Sequence, residues 1–279
     1  MTKYGIVTRN PEELTWDDFA VSHFEVKGVN GQITKPEAGS TSVIACFGDT
    51  ARSVANPALV PVDQEGNAAT RNHEQLEWGY ICPSHQEYRD QLLELIAEVT
   101  TVTSNIRLDE VGFPNATFCH CDSCKEQFAA AVTDSWNEWR QQVITSFLER
   151  ARNIVPGKLL VSLHPDPYPG HSEKQTGISL DSITPLVDEF VIPLYDESYT
   201  TTYWVEIITQ GFASRLTKPF SVELFAGEAS INALVETSET VESYASTVIF
   251  GYDGAQARAA VRRIRANETT GTSHHPAEK

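Results

Sequence analysis

Long apolar segments are missing from this sequence of 279 residues. The longest apolar runs, such as residues 191–194, are far shorter than the ~20 residues that a membrane-spanning helix needs. The first residues, Met-Thr-Lys-Tyr-Gly, carry no apolar core of the kind that a secretory signal contains. We therefore expect a cytoplasmic protein without a membrane partner.

Positive charge is also scarce. Lysine and arginine together number 21, against 38 aspartate and glutamate residues, and the formal net charge is −17. Because phosphate backbones bind basic surfaces, this balance argues against a nucleic-acid partner. The acidic residues are spread along the whole chain, as on the solvated surface of a halophilic protein, although an acidic enzyme from ordinary salt has a similar composition.

Several sequence motifs are absent as well. The chain has no G-x-x-x-x-G-K-[ST], no G-x-G-x-x-G, no G-x-S-x-G and no H-E-x-x-H. Phosphate binding, hydride transfer and zinc-peptidase chemistry thus lose their usual markers.

What the sequence does contain is a regular alternation of β-rich apolar runs with helical stretches. Eight strands with no linker between them predict a single (β/α)8 TIM barrel of the α/β class over residues 1–267, followed by a flexible tail at 268–279. The predicted strands are Tyr4–Thr8, His23–Val29, Ser42–Phe47, Asn105–Val111, Lys158–His164, Glu189–Tyr195, Pro219–Phe225 and Thr247–Tyr252.

Three helices carry their own boundary signals. Ser84 and Glu87 have the spacing of a capping box, which predicts a helix start there. One long helix is predicted from residue 124 to 153, ending before Pro156-Gly157, and the last helix over about 254–266. The strand-to-helix loops are longer and more polar than the helix-to-strand loops, so the functional site is expected at the C-terminal mouth of the barrel.

Five cysteines occur, and three of them fall within six residues as Cys119-His-Cys121-Asp-Ser-Cys124. In a cytosolic protein this spacing favours a metal site over disulfides, and zinc needs a fourth ligand. Cys82 precedes a helix in the neighbouring loop and is the predicted fourth ligand of a structural zinc, with His120 as a substitute. An iron–sulfur or redox site and plain thiols stay as alternatives, and Cys46 is expected to be a buried small residue.

The run Asp109-Glu-Val-Gly-Phe-Pro114, followed by Cys-x-Cys-x-x-Cys, resembles the fourth-strand region of glycoside hydrolases related to the family-42 β-galactosidases. The segment from Cys82 to Arg89 is similar to the C-P-x-x-x-x-Y-R stretch of uncharacterised glycosyl-hydrolase-like barrels. Those barrels carry L-D-[YF]-x-R-[YF]-P, whereas this chain has Gly112 in place of the arginine. The resemblance spans about residues 75–130 and implies glycosidic-bond hydrolysis, a carbohydrate substrate and a structural zinc.

Glycoside hydrolysis requires two carboxyl groups, so carboxylates at strand ends are the catalytic candidates. Side-chain alternation turns Asp109 inward on the fourth strand and Glu223 inward on the seventh, so that both converge on the mouth. The family-42 clan pairs an acid/base on strand four, where Glu110 is the second possibility, with a nucleophile on strand seven. The α-galactosidase-like barrels instead imply Asp109 with Asp196. Glu223 has a structural alternative, as a buried carboxylate paired with Arg107 or Lys27.

Six further residues are predicted to bind the substrate because they are polar or aromatic and lie at or near the mouth. They are Trp78, Arg107, His164, Tyr195, Tyr252 and Asp253. Trp204 is expected to pack in the core. The rival hypothesis is a catalytically inactive barrel that binds carbohydrate or a protein partner.

Overall fold

Eight parallel strands close into a barrel in the order β1 to β8, and each strand pairs with the next. A computed structural model describes residues 3–195, 202–227 and 229–270. The strands are β1 Lys3–Thr8, β2 Val21–Lys27, β3 Thr41–Ala45, β4 Ile106–Asp109, β5 Leu159–Ser162, β6 Glu189–Leu194, β7 Phe220–Phe225 and β8 Thr247–Gly251. The predicted TIM barrel is confirmed, and all eight predicted strands are present with ends that shift by a few residues.

Helices surround the barrel and follow its strands in sequence. They are α1 Thr50–Ala55, α2 Gln86–Val99, α3 Asp122–Ala129, α4 Trp136–Ile154, α5 His171–Thr176, α6 Leu180–Ile183, α7 Thr202–Arg215, α8 Ile231–Val241 and α9 Gly254–Thr270. Among the described residues, no helix combines the length and the apolar character that a membrane span requires.

Apolar side chains fill two separate regions. The larger core lies between the strands and the helices, where Phe47 and Phe147 are fully buried with ring centroids 5.2 Å apart. A smaller cluster fills the inside of the barrel with Val7, Val43, Leu160, Val191 and Ile249. Tyr252, which directly follows β8, packs against this cluster.

The predicted helix over 124–153 is wrong, because the chain breaks it into α3 and α4. Ser135 ends the intervening segment and accepts a hydrogen bond from the backbone N–H of Glu138, which starts a new helix. Val132 lies in this break and is fully exposed. Apolar spacing alone did not reveal the interruption.

The predicted capping box is also wrong. His85 occupies the cap position of α2 without a side-chain capping bond, and the Ser84 hydroxyl turns instead toward the sulfur atoms of Cys82 and Cys124 at 3.2 and 3.3 Å. At the other end of the chain, α9 runs on to residue 270, so residues 268–270 are helical. Residues 271–279 of the predicted tail lie outside the described residues.

Candidate active site and metal centre

Arg107 organises the mouth of the barrel. Its guanidinium donates from Nε to Asp109 Oδ1 at 2.8 Å and from Nη2 to Asp109 Oδ2 at 3.2 Å. Ser162 on β5 adds a hydroxyl hydrogen bond to the same carboxylate. The Asp109 side chain keeps 20% of its surface exposed, whereas Arg107 keeps 2%. Asp109 is therefore an ion-paired carboxylate that is held in place and still reaches the solvent.

Glu223 lies on the other side of the same guanidinium, where Arg107 Nη1 donates to its Oε2. Its side chain is completely buried, and its second oxygen, Oε1, has no hydrogen-bond partner. Burial and the neighbouring charge of Asp109 raise the pKa of Glu223 to about 7, although the Arg107 charge opposes this shift. Asp109 and Glu223 thus both point to Arg107, as expected from their inward orientation. Glu223 also matches the alternative prediction of a buried carboxylate paired with Arg107.

Glu110 follows β4 directly and has a positive φ of 50°, a conformation that costs free energy for a residue with a side chain. Its carboxylate accepts a hydrogen bond of 3.0 Å from the Tyr80 hydroxyl. Burial, together with the adjacent Asp109 charge, raises the pKa of Glu110 to about 7, although the Tyr80 bond partly offsets this. Two consecutive residues therefore present an ion-paired carboxylate and a carboxyl that holds a proton near neutral pH.

Tyr252, after β8, shares the unusual backbone with a φ of 67°. Its hydroxyl donates to Glu25 Oε2 at 3.0 Å, and Glu25 also pairs with Arg9 at 2.5 Å. Burial and the charges of Glu223, Glu25 and Asp109 raise the pKa of Tyr252. Sequence reasoning missed Glu25 and Arg9. Alternation along the second strand turns Glu25 inward, and this signal would have found it.

Four other predicted residues have different surroundings. Tyr195 is 37% exposed and its ring lies 6.3 Å from that of Tyr252. His164 is exposed after β5, and Trp78 is half-buried with its ring 6.2 Å from Tyr80. Asp253 accepts a hydrogen bond from the Gln256 backbone N–H and so caps the first turn of α9. Its carboxylate thus has a structural use.

Asp196 lies outside the described residues, so its role stays a prediction. Arg107 keeps 2% of its side chain exposed and contacts Asp109, Glu223 and Ser162. Its role in substrate binding stays a prediction. Trp204 was expected in the core, yet it is 51% exposed on α7. Two surface cavities, of about 420 and 300 Å³, are lined by other residues than Asp109, Glu110 and Glu223.

The four predicted metal ligands come together, with their sulfur atoms all within 4.8 Å of one another. Cys82 Sγ lies 3.3 Å from Cys124 Sγ and 3.8 Å from Cys121 Sγ. A tetrahedral zinc with Zn–S bonds of about 2.3 Å needs sulfur atoms roughly 3.8 Å apart, so the cluster fits such an ion. The backbone N–H of Cys121 also donates to Cys119 Sγ at 3.4 Å.

Surrounding residues support the choice of these four ligands. His120 stacks on Trp136 with centroids 4.8 Å apart and is not in the cluster. Cys46 directly follows β3, is buried as expected, and its thiol donates to the Ile44 carbonyl at 3.6 Å. Burial raises the pKa of the Cys82 thiol well above its usual value, so thiolates there require a neighbouring cation. Four close, buried cysteines can therefore hold a metal ion.

Comparison with protein-family profiles finds no match for this chain, and comparison with curated proteins finds none either. Solved structures do share its fold. The α-L-fucosidase isoenzyme 2 from Paenibacillus thiaminolyticus superposes with a TM-score of 0.69 at 15% identity, covering 97% of this chain and 50% of that one. An inactive variant of the GH20 exo-β-N-acetylglucosaminidase from Vibrio harveyi gives 0.57 at 9%, covering 93% and 54%.

The β-N-acetylhexosaminidase from Bacteroides fragilis gives a TM-score of 0.56 at 9% identity, covering 97% of this chain and 71% of that one. This chain thus spans about half the length of the first two proteins. At these identities the comparisons establish a barrel fold that glycoside hydrolases also have, and no more. The relation to the family-42 β-galactosidases stays a prediction.

Proposed function

We propose that this protein hydrolyses a glycosidic bond at the mouth of its barrel. The observation that carries the proposal is the pair of unlike carboxyl groups at the end of β4. Asp109 is ion-paired with Arg107, and the pKa of the adjacent Glu110 is raised to about 7. Glycoside hydrolysis needs such a pair, one group to supply negative charge and one to supply a proton.

In the proposed reaction, Glu110 gives its proton to the oxygen of the leaving group as the bond from that oxygen to the anomeric carbon breaks. Asp109 either bonds to the anomeric carbon as the nucleophile, or takes a proton from a water molecule whose oxygen then bonds to that carbon. Water contributes the hydroxyl of the sugar product, and its remaining proton goes to Glu110 if Asp109 is the nucleophile. If Asp109 is the base, it takes that proton, and exchange with solvent returns the proton from Asp109 to Glu110. Arg107 and Ser162 orient Asp109 through the hydrogen bonds described above.

Glu223 fits a different part of this scheme. Because its side chain has no exposed surface, we assign it to the orientation of Arg107 rather than to contact with the sugar. Asp196, which follows β6, is the alternative proton donor that the α-galactosidase-like arrangement implies. Variants of Glu110 and Asp196 therefore have to be compared in the same assay.

The metal in this proposal is a structural zinc held by Cys82, Cys119, Cys121 and Cys124. With four protein ligands it leaves no position for a substrate or a reactive water. It would join the segment between α1 and α2, which contains Cys82, to the segment from β4 into α3, where Cys119 lies ten residues after Asp109. Its contribution is to hold the chain that follows the catalytic strand.

The test uses aryl glycosides whose leaving groups differ in acidity. Asp109→Asn should lower kcat/KM by about 10³-fold or more on every substrate that the wild type cleaves. Glu110→Gln should lose about 10²-fold with weakly acidic phenols and much less with dinitrophenol, because a good leaving group needs little protonation. Asp90→Asn, in an exposed ion pair with Arg150, is the control. Equal losses on both leaving groups would remove Glu110 from the donor role.

One observation favours the rival function, a barrel that binds carbohydrate without cleaving it. Asp109 accepts hydrogen bonds from Arg107 and Ser162, and such a satisfied carboxylate can serve the fold alone. If wild type cleaves no aryl glycoside but binds a free sugar, the binding function holds and the hydrolase proposal fails.

A further inference from the structure

A second cluster of polar side chains lies at the ends of β1, β2 and β8, beside the proposed catalytic residues. Arg9 donates from Nε to Glu25 Oε1 at 2.5 Å and from Nη2 to Glu25 Oε2 at 3.1 Å. Tyr252 donates its hydroxyl to the same Glu25 oxygen, and its ring lies 4.5 Å from the Arg9 guanidinium carbon. The catalytic scheme above uses none of these three residues.

The backbone of this cluster indicates a function beyond folding. Among the described residues, two with a side chain have positive φ, Glu110 and Tyr252, and each directly follows the mouth end of its strand. Such conformations cost free energy and concentrate at functional sites. The strain at Tyr252 places its hydroxyl on Glu25, which is 10% exposed. The charges of Glu223 and Asp109 act on Tyr252 as well, so the cluster adjoins the catalytic group.

Arg9 is exposed to solvent and could contact a ligand, whereas Glu25 is mostly buried. Arg9 keeps 61% of its side chain exposed although it is fixed by a two-point ion pair and by the Tyr252 ring. Of its five N–H groups, three take no part in the bonds to Glu25, and Glu25 Oε1 accepts only one of these hydrogen bonds. Donors and acceptors side by side complement two neighbouring hydroxyl groups, since each hydroxyl both donates and accepts.

Charge restricts the kind of sugar. Glu25 already neutralises Arg9, and Asp109 adds negative charge nearby, so an acidic sugar gains little. An amino sugar with a free ammonium group would meet the Arg9 guanidinium. Tyr195, which is 37% exposed beside Tyr252, offers apolar surface for the C–H face of a ring.

We infer that Arg9 and Glu25 form a binding subsite for a vicinal diol of a neutral sugar, with Tyr252 holding Glu25 in position. The inference rests on the proposed function, because it concerns the sugar that is bound at the same mouth. It adds the substrate class, an uncharged sugar unit with two adjacent free hydroxyl groups. It also assigns a binding role to Arg9, directly after β1, and to Glu25, on β2, which are both far in sequence from Asp109 and Glu110.

The experiment measures binding and hydrolysis separately. Methyl glycosides of neutral hexoses, 6-deoxyhexoses and N-acetylhexosamines are titrated into wild type, Glu25→Gln and Arg9→Met, with saturation-transfer NMR and calorimetry as readouts. We expect each variant to bind at least about tenfold more weakly, because a charged hydrogen-bonding partner is lost. The matched control removes an exposed ion pair of the same type, Arg150→Met, and should bind as wild type does. Arg9→Met keeps the test valid if Glu25→Gln fails to fold, since Arg9 is mostly exposed.

Deoxy derivatives of the best ligand identify the diol. Removal of one hydroxyl should weaken binding to wild type about tenfold and should cause little further loss in Glu25→Gln. Unchanged affinity in both variants, with hydrolysis intact, overturns the subsite and leaves the proposed function standing. Sugar binding that Glu25→Gln abolishes, without hydrolysis by wild type, supports the subsite and overturns the hydrolase proposal. If wild type neither binds nor cleaves any of these sugars, both are overturned.

Discussion

Arg107 and Glu223 form an ion pair inside the barrel, where their side chains are 2% and 0% exposed. The cation is shared with Asp109, so one guanidinium faces two carboxylates. His23 lies close enough for the Arg107 charge to act on it, but burial and that charge lower the pKa of His23 to about 3, which keeps it neutral. Arg107 is therefore central to the charge balance of this site.

Replacing Arg107 with methionine should lower the free energy of unfolding by about 3–5 kcal/mol, because the change leaves a buried carboxylate without its partner. The double variant Arg107→Met with Glu223→Met should recover part of that loss, since it removes both buried charges. Urea unfolding at neutral pH measures both values. A single variant as stable as wild type would show that the pair does not support the fold.

The sequence resemblance predicted arginine where this chain has Gly112, and the structure gives a steric reason for the glycine. A β-carbon at this position would lie 2.6 Å from Thr176 Cβ and 2.7 Å from the Thr176 carbonyl oxygen. Phe113 donates its backbone N–H to that same oxygen at 2.9 Å, so the segment cannot move away freely.

We expect Gly112→Ala to destabilise the protein by about 1–3 kcal/mol, as overpacking does in well-packed sites. Gly39→Ala is a useful comparison, because its β-carbon would have open space but its φ of 83° makes a side chain unfavourable for a different reason. Thermal unfolding of both variants checks the prediction. A stable Gly112→Ala protein would mean that the loop containing Thr176 yields easily.

Elemental analysis of the purified protein should find about one zinc per chain. Cys82→Ser and Cys124→Ser should lose the metal and lower Tm by about 5–10 °C, because binding energy at a structural zinc site is also folding energy. Cys46→Ser removes a buried thiol outside the cluster and should keep the metal. Wild-type protein that contains no zinc would contradict the assignment of the ion.

Glu110 should make stability depend on pH. Its pKa is about 7 in the folded protein against 4.5 in an unfolded chain. Between these values the folded state binds more protons than the unfolded state, so the free energy of unfolding falls as pH rises from about 4.5 to 7. Glu110→Gln should flatten that slope, whereas Glu94→Gln, at an exposed position on α2, should leave it unchanged. Urea unfolding at pH 4.5 to 7.5 gives the comparison, and an identical slope in Glu110→Gln would contradict it.

Local sequence patterns predict part of this site. Alternation along β4 and β7 predicts that Asp109 and Glu223 face the barrel interior, because successive side chains of a strand point to opposite sides. The close spacing of Cys119, Cys121 and Cys124 predicts their cluster for a similar reason, since residues so near in sequence cannot separate. Neither pattern reports what lies across the barrel, so the sequence left Arg107 and Lys27 open as partners of Glu223. Only the structure shows that Arg107 is shared by Glu223 and Asp109.

Two predictions were wrong because local patterns do not report tertiary contacts. The apolar spacing from residue 124 to 153 continues through a break that Ser135 caps by its hydrogen bond to Glu138. Trp204 is apolar enough for a core, and its exposure on α7 depends on which face of that helix meets the barrel. Periodicity describes how a segment can bury apolar surface, whereas tertiary packing decides whether it does.

By itself the sequence determined the barrel fold, the strands that carry the carboxyl groups and the grouping of four cysteines into one site. The fold and the strands follow from periodicity, and the grouping follows from the short spacing of three cysteines and the place of Cys82 in the neighbouring loop. The tertiary structure decided that Glu223 is buried, that Glu110 has a raised pKa, and that Arg9 and Glu25 meet Tyr252 at the mouth. Those properties depend on desolvation and on contacts between residues as much as 227 positions apart. Only closure of the barrel, which joins β8 to β1, brings such residues together.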